Sequence, residues 1–156
     1  MDKRAVVVKQ GQAEELSCMG AAVRFLCRGE DTGKAWSMME VTLPENSGPP
    51  PHHHPWDEAY YVVEGQVRFH LDGREQLFGK GDFIYAPADQ AHGFQGASKS
   101  PARVLILDAP AHAEGFFRDL HREVKELPRD LAKVPGIGER HQIHFPPRNG
   151  GQAERG

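Results

Sequence analysis

Short apolar segments separated by turn residues dominate the chain between residues 21 and 109. In QVRFHL, Val67, Phe69 and Leu71 share one face and polar side chains share the other, which is the alternation of a half-buried strand. The Asp72-Gly73 pair that follows is a strong hairpin signal. Many short strands with no helix between them predict an antiparallel sandwich or barrel. The other segments of this kind are AAVRFLC, AWSMMEVTL, AYYVV, DFIYA, AHGFQ and ARVLIL.

The hydrophobic spacing becomes helical in the C-terminal part of the chain. Four apolar residues recur there at intervals of three or four, with charged residues between them: Phe117, Leu120, Val124 and Leu127. Pro128 then interrupts the run. We therefore expect one helix, or two, packed by an apolar stripe against the outside of the barrel. After Pro135 we expect extended or loose chain.

Length and charge limit the classes of protein that the chain can belong to. Its 156 residues predict one domain, 1–156, with a barrel core at about 20–110 and a helical and extended tail at 113–156. The 19 basic and 22 acidic residues leave a net charge of -3, which gives no reason to bind nucleic acid or an anionic membrane. No run approaches the roughly 20 apolar residues of a membrane span. We therefore expect a soluble, cytoplasmic protein.

The two cysteines do not indicate a redox or disulfide function. Cys18 and Cys27 do not form a CxxC pair, and two thiols alone make no disulfide framework. We expect buried, inert thiols.

Three consecutive histidines stand just before a predicted strand, in PPPHHHPWDEAYYVVEG. On an extended backbone, His52 and His54 point to the same face about 6.5 to 7 Å apart, whereas His53 points away. Two imidazoles at that separation can bind one metal ion. Glu58 follows after a three-residue gap, and a turn or bulge there can bring its carboxylate to the same centre. Such a mixed nitrogen and oxygen site suits divalent Fe, Mn, Ni, Cu or Zn.

A further histidine, His92, lies five residues after Pro87, at the start of another short segment. On a strand neighbouring the first, it would supply a fourth ligand from across the barrel.

The spacing of these residues matches a family pattern. The first stretch fits H-x-H-x3-E-x6-G at four positions, His52, His54, Glu58 and Gly65. The second fits G-x5-P-x4-H at Gly81, Pro87 and His92. These two elements are similar to the two motifs of the cupin superfamily. In particular, the chain resembles the small single-domain cupins grouped with quercetin dioxygenase-like proteins.

The resemblance implies an all-β fold, a double-stranded β-helix or jelly-roll barrel, with one or two C-terminal helices outside it. It implies one divalent transition metal per chain, held inside the barrel by His52, His54, Glu58 and His92. Glu58 would also be the catalytic general base. A homodimer formed through exposed sheet edges near the N-terminus is implied as well.

Three functions are compatible with this resemblance, because the barrel supports many. The leading hypothesis is a metal-dependent dioxygenase, similar to quercetinases, that acts on a small enol, flavonol or diketone substrate. The second is a redox-neutral cyclase or isomerase, similar to polyketide cyclases, that uses the metal only as a Lewis acid. The third is a small-ligand-binding protein without turnover.

Aromatic and histidine side chains near the motifs have less certain roles. Tyr60 and Phe94 share strand parity with Glu58 and His92, so they either line the pocket or are ordinary core aromatics. Trp56 either caps the barrel mouth or packs beneath it. Three more histidines are not expected to bind metal: His70, His141 and His144.

Overall fold

Two antiparallel sheets that share one hydrophobic core form the protein in a computed structural model, which describes residues 3–146. The larger sheet has the order β1-β2-β3-β9-β4-β7, and the smaller has the order β6-β5-β8. This architecture confirms the predicted all-β jelly-roll barrel. The strands are β1 (Glu14–Cys18), β2 (Ala21–Cys27), β3 (Ser37–Leu43), β4 (Asp57–Glu64), β5 (Gln66–Leu71), β6 (Arg74–Gly79), β7 (Phe83–Ala86), β8 (His92–Gly96) and β9 (Ala102–Ala109).

The core forms because alternate side chains of both sheets point inward. In β9, buried and half-buried positions alternate along the whole strand. Val62 and Val104 of the larger sheet belong to the same buried cluster as Val67 and Phe69 of the smaller one. The predicted period-two pattern of QVRFHL is therefore confirmed for its two most buried positions.

A two-residue turn at Asp72 and Gly73 joins β5 to β6, as the sequence predicts. Leu71 pairs with Arg74 across the turn. Asp72 and Gly73 have φ values of 55° and 76°, and a type I′ turn requires positive φ at both central positions.

The first C-terminal helix, α1 (Glu114–Glu123), starts beside the end of β9. The buried carboxylate of Asp108 accepts hydrogen bonds from the backbone N–H groups of His112, at 2.7 Å, and Ala113, at 2.8 Å. These N–H groups precede the first helical turn and have no partner within the helix, so Asp108 fixes where α1 begins.

The apolar stripe of α1 faces the barrel, which confirms the predicted packing of an amphipathic helix. Phe116 and Leu120 are buried, and α1 contacts β1. The helix ends at Glu123, so Leu127 lies beyond it and is 49% exposed. Val124, the C-cap residue, also follows the last helical residue but is buried, so the predicted stripe extends past the helix by two positions.

A second helix, α2 (Val134–Arg140), corrects the expectation of extended or loose chain directly after Pro135. Proline is tolerated in the first helical turn, where its missing N–H has no helical partner in any case. Burial of Val134 and Ile137 against the core then stabilises the short helix. Single-turn 3₁₀ helices occur at Gly29–Thr32 and Arg129–Lys133. No helix within residues 3–146 has the length and apolar character needed to cross a membrane.

Candidate metal centre

The backbone of the triple-histidine segment runs beside β8. The N–H of His52 donates to the carbonyl oxygen of His92 at 2.8 Å, and the N–H of His92 donates to that of His52 at 2.9 Å. Gly93 permits this approach, because a Cβ there would lie 2.7 Å from the backbone nitrogen of Pro51. The second histidine motif is therefore held directly against the first.

Three of the predicted ligand side chains converge in the barrel interior. One ring nitrogen from each of His52, His54 and His92 lies within 4.8 Å of the other two, and all three side chains are buried. Their ring centroids are 4.5 Å apart for His52 and His92, 4.8 Å for His54 and His92, and 5.7 Å for His52 and His54. Among residues 3–146 this is the one group of three or more such side chains close enough to share an ion.

The other ring nitrogen of each histidine is fixed by the backbone. The Nδ1 atoms of His52, His54 and His92 lie 2.9, 3.0 and 2.9 Å from the carbonyl oxygens of Pro50, Trp56 and Gln90, respectively. A carbonyl oxygen only accepts hydrogen bonds, so each Nδ1 carries a proton, and in a neutral ring Nε2 then carries the lone pair.

The Nε2 atoms are left without hydrogen-bond partners. Those of His54 and His92 are fully buried and have none. A buried polar atom without a partner costs about 1 to 3 kcal/mol, and a metal ion would remove that cost. Neutral imidazoles that present Nε2 are also the form that binds divalent transition metals. The chemistry of these residues therefore fits a bound metal ion.

Burial favours the neutral form of His52 and of His92. It lowers the pKa of His52 to about 3, with the neighbouring His92 adding to the effect. Burial also lowers the pKa of His92. Both rings are therefore uncharged at pH 7 and need not lose a proton to bind a metal.

Glu58, at the start of β4, lies beside this cluster. Its Oε1 is 2.5 Å from Nε2 of His54, but the contact does not have hydrogen-bond geometry, since that Nε2 remains unpartnered. Burial raises the pKa of Glu58, but the interactions with His54 and the other groups around it outweigh burial, so that the pKa falls to about 2. Glu58 is not part of the group within 4.8 Å, and its role as a fourth ligand stays a prediction.

Two donors hold the Glu58 carboxylate in place. The hydroxyl of Tyr60 donates to Oε2 at 2.5 Å, and Nε1–H of Trp56 donates to Oε1 at 3.3 Å. Burial, together with the adjacent Glu58 charge, raises the pKa of Tyr60 well above its usual range, so this hydroxyl keeps its proton. The carboxylate is thus ionised and oriented in a buried position.

Trp56 supports two of the predicted site residues at once. Its ring stacks on the imidazole of His54 with centroids 4.0 Å apart and an interplanar angle of 6°. It also supplies the carbonyl for His54 Nδ1 and the indole N–H for Glu58. Trp56 is buried, so it packs inside the barrel rather than at an exposed mouth. Residues 54, 56 and 58 are spaced two apart, which on an extended chain places their side chains on one face, and this spacing was a signal in the sequence for the contacts of Trp56.

The aromatic pocket candidates are also buried near the cluster. The ring centroid of Tyr60 lies 6.0 Å from that of His92 and 5.4 Å from that of Phe94. Phe94 borders the internal cavity, whereas Tyr60 reaches the site through its hydroxyl. Their assignment as pocket residues stays a prediction.

Four histidines that the sequence does not predict as ligands lie outside the cluster: His53, His70, His141 and His144. His53 faces away, and its ring centroid is 5.1 Å from that of His144. The other partners are side-chain oxygens: Gln95 for His70, Asp119 for His141 and Glu139 for His144.

An apolar cavity of about 130 Å³ adjoins the cluster and reaches His52 and Glu58. Its walls come from the larger sheet, from α1 and from residues that follow α2. The sequence alone did not indicate that the C-terminal part of the chain reaches this cavity.

The protein is a small two-sheet β-barrel with a buried cluster of three histidines that could hold a metal ion. The family described as "Cupin domain" matches residues 39–108, a range that contains every predicted metal ligand. This match confirms the predicted resemblance to the small cupins.

Known proteins with related sequences and structures differ in function. Quercetin 2,3-dioxygenase of Bacillus subtilis is 27% identical over 115 residues, which are 73% of this chain but 34% of that enzyme. The chain thus spans about a third of that protein's length. The tetracenomycin polyketide synthase protein TcmJ of Streptomyces glaucescens is 22% identical over 121 residues, 76% of this chain and 80% of that protein. The structure of the polyketide cyclase RemF of Streptomyces resistomycificus is similar with a TM-score of 0.58 and 26% identity, over 70% of this chain and 80% of that chain.

Proposed function

We propose that this cupin is a metal-dependent dioxygenase acting on a small enol or diketone-type substrate. His52, His54 and His92 would hold one divalent transition metal, with Glu58 as catalytic base and fourth ligand. The observation that supports the proposal most directly is that three histidine ring nitrogens converge and that the buried Nε2 atoms of His54 and His92 have no hydrogen-bond partner. The likeness to quercetin 2,3-dioxygenase supports the reaction type.

Each group of the site would have a distinct task. A divalent ion bound by the histidines would act as a Lewis acid and template for a chelating enol. The ionised carboxylate of Glu58 would accept the enol proton, and Tyr60 and Trp56 would keep it from turning away. The apolar walls of the cavity would exclude water, which strengthens electrostatic interactions within it.

A redox-neutral cyclase or isomerase is the second candidate. The polyketide proteins TcmJ and RemF are each matched over 80% of their length, whereas the dioxygenase is matched over 34%. The same proton acceptor and metal would serve this chemistry without dioxygen.

Oxygen uptake distinguishes the two candidates. The purified protein would be loaded separately with Fe, Mn, Ni, Cu and Zn, then given flavonols and 1,3-diketones in an oxygen electrode, with products identified by mass spectrometry. Dioxygen uptake with incorporation of oxygen supports the dioxygenase. Conversion to an isomeric or dehydrated product without uptake supports the cyclase or isomerase, and no conversion with any metal contradicts both.

We further propose that the protein is a homodimer. Strand β1 is one edge of the larger sheet, and its outer hydrogen-bonding groups face no other named strand. Sedimentation velocity at micromolar concentration tests this, and a species of 17.3 kDa mass alone would contradict it.

A further inference from the structure

The chain that follows α2 docks beside the histidine cluster. Residues 143–145, termed here the C-terminal segment, pair with the triple-histidine segment: His144 N–H donates to the carbonyl of His53 at 2.9 Å, and His53 N–H donates to that of His144 at 3.1 Å. His53 stands between two of the predicted ligands. The C-terminal segment is therefore joined by backbone hydrogen bonds to the chain that carries the site.

The position of the C-terminal segment is also set from its other side. The N–H of Ile143 donates to the carbonyl of Gly138 at 2.9 Å. A Cβ at residue 138 would lie 2.6 Å from the Ile143 carbonyl oxygen and 3.0 Å from the Phe145 ring, so glycine is needed for this packing. The Phe145 ring centroid then lies 5.3 Å from that of His52 and 6.2 Å from that of Phe116.

Ile143 and Phe145 thereby form one wall of the cavity that reaches His52 and Glu58. The cavity measures about 130 Å³. An engineered apolar cavity of about 150 Å³ in another protein binds benzene. The cavity of this protein is therefore close to the size that holds one ring and too small to enclose the three rings of a flavonol.

The walls of the cavity are also largely apolar. Of the lining side chains among residues 3–146, the ionisable ones are Cys18, His52 and Glu58. Burial raises the pKa of the Cys18 thiol to about 11, so this thiol stays neutral.

We propose that the site takes a largely apolar enol or diketone no larger than a single ring, and that Phe145 of the C-terminal segment sets this size limit. The proposal rests on the proposed function for the chelating group. The size limit depends only on the cavity. An experiment can therefore refute the size limit without refuting the proposed function, and the reverse.

The test uses ligands of two sizes on the full-length chain. Protein loaded with Co²⁺ would be titrated with tropolone, which has one ring and a chelating edge, and with 3-hydroxyflavone, and the Co²⁺ absorption spectrum would be followed. Wild type should respond to tropolone and not to 3-hydroxyflavone. Phe145→Ala should bind 3-hydroxyflavone more tightly by about tenfold or more, a change of about 1.4 kcal/mol. Phe83→Ala, on an exposed phenylalanine of β7, is the matched control and should behave as wild type.

A metal-free measurement covers the cases in which Phe145→Ala does not fold or Co²⁺ does not bind. In ¹⁹F NMR titrations, fluorobenzene should bind the apo protein and 1-fluoronaphthalene should not, and Phe145→Trp should lose fluorobenzene binding. Equal binding of both probes by wild type, no binding of either, or an unchanged preference in both Phe145 variants would overturn the size limit. Failure to bind Co²⁺ with the expected ¹⁹F result would instead overturn the metal-dependent function and leave the size limit intact.

Discussion

Removal of the Tyr60 hydroxyl tests whether Glu58 is held as an ionised, buried group. In Tyr60→Phe the ring keeps its packing against Phe69, at 4.9 Å, and Phe94, at 5.4 Å, while the 2.5 Å hydrogen bond to the carboxylate is lost. Hydrogen bonds to charged groups contribute about 1.5 to 3 kcal/mol. We therefore expect metal-free Tyr60→Phe to lose about 1.5 to 3 kcal/mol of unfolding free energy at pH 7, because the buried charge loses a donor.

The assay is urea unfolding of protein treated with EDTA, followed by circular dichroism. Tyr61→Phe is the matched control, because Tyr61 is the next residue of β4, points to the other face and is 46% exposed. Surface substitutions of this kind usually change stability by less than about 0.5 kcal/mol. For a chain of 156 residues the loss in Tyr60→Phe corresponds to a fall in Tm of about 3 to 12 °C. Equal stability of the two variants would refute the inference that Tyr60 stabilises a charged Glu58.

Three further predictions concern the metal centre and the thiols. His54→Ala and His92→Ala should each lose most of the bound metal in elemental analysis while His53→Ala keeps it, and equal losses in all three would contradict the strand-parity argument. Cu²⁺ should quench the fluorescence of Trp56, whose ring lies 4.0 Å from that of His54, and Trp56→Phe should abolish most of the quenching; quenching that survives would place the ion elsewhere. Cys18, whose pKa burial raises to about 11, should react with iodoacetamide at pH 8 far more slowly than it does in urea, as measured by peptide mass spectrometry. Equally fast labelling of Cys18 in the folded protein would contradict its burial.

The strands and the histidine cluster were predictable from the sequence because both depend on local geometry. Period-two alternation is a property of the extended backbone, and it places His52, His54, Trp56, Glu58 and Tyr60 on the same buried side. The Asp72-Gly73 turn was predictable for the same reason, since its backbone conformation favours those residue types.

The C-terminal structure was harder to predict because it depends on contacts between distant parts of the chain. In α2, Pro135, Gly136 and Gly138 are residues that disfavour helix interiors, and tertiary burial of Ile137 outweighs that preference. The pairing of His144 with His53 joins residues far apart in sequence, and no local pattern indicates it. The cavity wall formed by Phe145 was therefore not foreseeable from periodicity.

The hydrogen bonds from the histidine Nδ1 atoms end on main-chain carbonyls, and a carbonyl is supplied by every amino acid. Substitutions at Pro50 or Gln90 that leave the backbone path unchanged would therefore preserve the orientation of His52 and His92. The cavity walls, in contrast, are side chains such as Phe116 and Phe145. Selection can thus reshape the walls while the imidazoles stay aligned, which gives a barrel of this design a route to new substrates through few mutations.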